Sequence, residues 1–80
     1  MITIKEAIDK YKNEFPDFDI NEILDVGKEW VISSKSKEDG SVPYTSPIAI
    51  SKENGDMRVF FPPQNKELLE NAKEVDISNI

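Results

Sequence analysis

Asn54-Gly55 lies at the centre of a stretch, Ile48 to Phe61, that specifies a β-hairpin. Asn-Gly is favoured in a two-residue type I′ turn because both central residues take positive φ. With this pair at the tip, Glu53 faces Asp56, Lys52 faces Met57, Ser51 faces Arg58, Ile50 faces Val59, Ala49 faces Phe60 and Ile48 faces Phe61. That pairing puts Ile48, Ile50, Met57, Val59 and Phe61 on one side, the expected core side, and leaves Ala49, Ser51, Arg58 and Phe60 on the other. A slip of one residue would turn the whole apolar set to solvent, so turn chemistry and apolar pattern support each other.

The segments around the hairpin supply a helix and further strands. Thr3 followed by Glu6 has capping-box spacing, and Ile4, Ala7, Ile8, Tyr11 and Phe15 recur on one helical face, which predicts a helix over 4–14 closed by Pro16. Phe18, Ile20, Glu22, Leu24 and Val26 alternate as a strand over 20–26 requires, while Ile23 breaks the alternation. Gly27-Lys28 is a tight connection into a strand over 29–34, with Trp30 and Ile32 on one face and Val31 and Ser33 on the other. Lys35 to Ser46 is a polar, proline-containing loop, and a connection this long in a small domain usually has a task. Pro43 and Tyr44 give it something to bind with. Pro62-Pro63 ends the last strand, Asn65 is an expected N-cap, and Leu68, Leu69 and Ala72 are the apolar positions of a second helix. The alternating tail from Glu74 reads either as an edge strand or as an untethered end. The expected architecture is a single α+β domain spanning 1–80: an antiparallel sheet of about four strands with an N-terminal and a C-terminal helix packed on it.

Composition narrows the chemistry. The chain has 80 residues, no cysteine and no histidine. Disulfides, thiol chemistry, the commonest metal ligands and the commonest neutral-pH general base are therefore ruled out. No apolar run approaches the roughly 18 residues of a membrane span, and charges interrupt every candidate signal segment. A soluble, cytoplasmic protein is expected. Adjacent carboxylates such as Asp17 with Asp19, or Glu38 with Asp39, fall in turn-like segments without a pocket to raise one pKa, so catalysis is not expected. The segment from Asp17 to Glu29 lacks the ordered ligands and central glycine of a calcium loop. Gly27, Gly40 and Gly55 are too far apart to make a phosphate loop, and Arg58 with Phe60 lacks the basic field that nucleic-acid binding needs. No cofactor is implied.

Surfaces remain as carriers of function. The net charge is −6, and residues 13–27 hold five carboxylates with no lysine or arginine. Such a ridge attracts basic protein partners, while aromatic residues and arginine are enriched at interfaces. The candidate partner-binding residues are Asp17, Asp19, Glu22, Asp25, Tyr44, Arg58 and Phe60.

The order of features resembles a known group. The amphipathic helix opening Ile4-Lys5-Glu6-Ala7, the strand centred on Trp30-Val31, and Ser46-Pro47-Ile48-Ala49-Ile50 leading to Asn54-Gly55 are similar to the YrhB-like group. That group includes the immunity protein 35 family of bacterial polymorphic toxin systems, with Trp30, Pro47 and Gly55 at the matching positions. The resemblance spans about Ile4 to Phe61, and the acidic segment from Asn65 has no counterpart in it. It implies an immunity protein that binds a basic cognate toxin domain and blocks it by occlusion, without cofactor or turnover. Apart from the resemblance, a monomer or weak dimer is expected, since a short edge strand near the C-terminus could pair with itself or be covered. A small chaperone-like or adaptor module is the alternative reading of the same surface.

Overall fold

The structure, a computed structural model, describes residues 1–41 and 46–77. Helix α1 (Ile4–Glu14) is followed by strands β1 (Phe18–Asp25), β2 (Glu29–Ser36), β3 (Ile48–Ser51) and β4 (Met57–Val59). A 3₁₀ turn (Pro62–Gln64), a one-turn helix α2 (Lys66–Glu70) and a two-residue strand β5 (Lys73–Glu74) complete the order. The sheet is antiparallel, has five strands and runs β4-β3-β2-β1-β5. The tail thus adds an edge strand, and the strand count is one above expectation.

Helix α1 begins as its sequence requires. Thr3 Oγ1 accepts from the Glu6 amide at 3.1 Å, and Glu6 Oε1 accepts from the Thr3 amide at 3.3 Å, which satisfies two of the helix's orphan donors. Its apolar face, Ala7, Ile8 and Tyr11, is buried against Ile23, Trp30, Ile32 and Ile50 of the sheet.

Strand β1 explains the break at Ile23. Ile20 pairs with Ser34, and the next pair is Glu22 with Ser33, so Asn21 is an extra residue in a β-bulge. The bulge resets the alternation, and both Ile20 and Ile23 point to the α1 side, Ile23 being fully buried. A strict period-two reading had aligned Leu24 with Ile20 and treated Ile23 as the exception.

The hairpin departs from the two-residue turn. Ile50 pairs with Met57, Ala49 with Arg58 and Ile48 with Val59. The register is two residues from the expected one, and Lys52–Gly55 form a four-residue loop closed by the Ser51 amide donating to Asp56 at 2.9 Å. Among the described residues only glycines have positive φ, so Gly55 (φ 80°) is left-handed while Asn54 is not. Asn54 instead accepts from the Asp56 amide through its side chain. The cause lies in Lys52, whose amide donates to Lys28 and whose carbonyl accepts from Ile2. Held between the β1–β2 turn at Lys28 and Ile2 near the N-terminus, Lys52 does not turn toward Met57. An even shift keeps each residue on its side of the sheet.

Burial nevertheless differs from the expected division. Val59 and Phe61, assigned to the core, are 51% and 52% exposed, whereas Phe60, Ala49 and Val31 are 0%, 0% and 2% exposed. The sheet has a core on each side: the larger under α1, and a second of Val31, Ala49 and Phe60 with Leu24, Val26 and Leu69 packed on it. Strand β4 ends at Val59, and the Phe60 amide donates to Pro47, so Phe60 turns inward beneath the C-terminal segment. Asn65 stands at the N-cap of α2 as expected, its carbonyl accepting from the Leu69 amide, but its side chain makes no capping bond; its Nδ2 donates back to the Phe61 carbonyl at 2.8 Å. The preceding 3₁₀ turn sets that backward geometry, since the Asn65 amide is already committed to Pro62.

Candidate interaction surfaces

Sheet register distributes the acidic ridge over different surroundings. Asp17 lies in the exposed turn between α1 and β1. Asp19 pairs with Lys35, and the bulge brings Glu22, opposite Ser33, to the same side of the sheet as Asp19. Both are half-buried; Asp19 is near the end of the β1–β2 ladder away from the Phe60 cluster, and Glu22 is at its middle, two residues from Leu24. Among the described residues Asp17, Asp19 and Glu22 take part in no side-chain hydrogen bond or ion pair.

Asp25 differs. It pairs with Trp30 across the ladder, on the α1 side, and its Oδ1 receives the Lys52 ammonium at 2.8 Å and the Gly27 amide at 2.9 Å. Lys52 and then Gly27 hold the Asp25 carboxyl below its ordinary value. The same ammonium lies 5.3 Å from the centre of the Trp30 ring. Asp25 therefore ties the β1–β2 turn to the hairpin loop and leaves the acidic strip.

Arg58 and Phe60 leave the expected open face for a structural reason. Arg58 donates to both carboxylate oxygens of Glu29, Nε at 2.8 Å and Nη2 at 2.7 Å, and its guanidinium lies 5.5 Å from the Phe60 ring centre. The Arg58 hydrogen bonds hold the Glu29 carboxyl below its ordinary range. Phe60, expected at a partner surface, is in the second core. Tyr44 lies outside the described residues.

Sequence reading passed over Glu29, Lys52 and Lys10. Glu29 and Arg58 share a sheet side by alternation, a signal that becomes visible only once β2 and β4 are known to flank β3. Lys10 lies across Gly55, where a Cβ would come within 2.8 Å of its Nζ. Shallow clefts indent the surface; one is lined by Tyr11, Phe15, Phe18, Ser34, Ile48 and Val59. Inside it the Tyr11 hydroxyl is hydrogen-bonded to Ser34 Oγ. Among the described residues no group of three or more carboxylates is arranged to hold a metal ion. No helix there is long and apolar enough to cross a membrane.

No family model, curated protein or solved structure matches the chain. The three positions of the family resemblance serve the fold: Trp30 is 8% exposed in the core, Pro47 accepts from Phe60, and Gly55 supplies the left-handed turn.

Proposed function

We propose that this protein is a cytoplasmic toxin-neutralising immunity protein, which binds a basic cognate toxin domain and blocks it by occlusion. The observation that carries the proposal is the strip Asp17, Asp19 and Glu22. These carboxylates have no hydrogen-bonding or ion-pairing partner among the described residues, whereas Asp25 and Glu29 are each engaged by a cation. Charges left unpaired on a chain of net charge −6 favour encounter with a basic surface and add little to folding. Occlusion needs shape and charge complementarity and no turnover, in keeping with a chain that has neither cysteine nor histidine.

Affinity capture from the native host, followed by association kinetics at rising salt, tests this reading. A single basic protein bound one to one, with association slowed by salt and slowed roughly tenfold or more by D19K/E22K, is expected. Many unrelated proteins bound weakly would favour the chaperone-like or adaptor alternative. Association rates unchanged by D19K/E22K would reduce the strip to solvation.

A further inference from the structure

Strands β4 and β5 are opposite edges of the sheet, so the chain between them must cross its whole width. Four strand spacings amount to roughly 19 Å. Residues 62–72 make that crossing over the second core, yet their attachment is slight. Their backbone hydrogen bonds are local: Gln64 to Phe61, Asn65 to Pro62, Leu69 to Asn65 and Ala72 to Leu69. The side chains of Asn65 and Asn71 also bond locally, to Phe61 and Glu67. Among the described residues no hydrogen bond or ion pair joins 62–72 to the sheet or to α1, and none after Phe60 is buried. Leu69 packs on the second core, and Val75, past β5, reaches the first. The residues beneath are the opposite: Val31, Ala49 and Phe60 are at most 2% exposed.

We infer that residues 62–72 form a strap that opens as a unit and bares the face of Leu24, Val26, Val31, Ala49 and Phe60 to an amphipathic helix of a protein partner, whose leucine takes the place of Leu69. The strap itself shows what fits: α2 is a helical turn that seats one leucine on this face and leaves its charged residues in solvent. Among the described residues, opening breaks no hydrogen bond from 62–72 to the sheet or to α1, so its barrier is set by apolar contact and the short β5 pairing. Alternation from Ile20 and Ile23 places Asp19 and Glu22 on this same side of the sheet, so the acidic strip borders the face at Leu24.

A redox lock tests this. The chain has no cysteine, and Leu24 faces Glu74 across β1 and β5. Because the Val75 amide donates to Ile23, Leu24 and Glu74 are the non-hydrogen-bonded kind of pair, with Cα atoms about 4.5 Å apart and within disulfide range. In reduced L24C/E74C, amides of residues 66–72 should exchange at least about tenfold faster than those of 30–32, and oxidation should slow them by a similar factor. A fluorescent synthetic peptide of residues 61–75 should bind the reduced form and not the oxidised form. L69A in the otherwise native chain, which needs no engineered bond, should speed strap exchange and raise peptide binding while leaving exchange of 30–32 unchanged. Strap and strand amides exchanging at one common rate, or no peptide binding to reduced L24C/E74C and L69A, would overturn the inference.

Discussion

Arg58 on β4 reaches across β3 to clamp Glu29 on β2, with both carboxylate oxygens engaged at 2.7 and 2.8 Å. The fork fixes the outer hairpin against the sheet and roofs one edge of Phe60. Arg58 is 47% exposed and Glu29 18%, so water weakens the pair. A double-mutant cycle of R58A and E29A should give a coupling of about 0.5–1 kcal/mol in urea unfolding. R58K should recover little of it, since an ammonium cannot make both bonds.

Phe60 and Phe61 are neighbours with opposite environments, 0% and 52% exposed. F60A should cost about 3–5 kcal/mol and F61A less than about 1 kcal/mol, read from unfolding midpoints at constant m-value. Equal costs would contradict a second core centred on Phe60.

Acid should loosen two cross-strand ties. Asp25 and Glu29 titrate below their ordinary 3.8 and 4.5, because Lys52 and Arg58 bind their ionised forms. Below those ordinary values the unfolded chain holds more protons, so the stabilisation is complete above them and fades as pH falls through the depressed folded values. Urea midpoints should fall with acidification below about pH 5, and the fall should be shallower in D25N/E29Q.

Gly55 combines positive φ with the Lys10 side chain overhead. G55A should destabilise by about 1–2 kcal/mol through backbone strain. Because the Lys10 chain end can move aside, K10A should not rescue G55A; substantial rescue would locate the cost in the contact instead.

The α1 helix was legible because its cap and apolar face are encoded within a dozen residues, and the structure has Ile4–Glu14 with the Thr3–Glu6 box in place. Strand β2 was legible from Trp30 and Ile32 for the same local reason, although it runs on to Ser36. The candidate surface was legible as charge and not as geometry. Asp17, Asp19, Glu22 and Asp25 look alike in sequence, and only the location of Lys52 separates the last from the others.

Sequence alone determined that Ile48–Ile50 and Met57–Val59 pair as a hairpin and which residues share each of its sides, since alternation is a property of the strand itself. Tertiary structure decided the rest. Lys52 is held by Lys28 and Ile2, which lengthens the turn, and the C-terminal segment covers the second face, which buries Phe60 and leaves Val59 and Phe61 in solvent. Burial depends on what lies above a face, and that cover comes from residues distant in the chain.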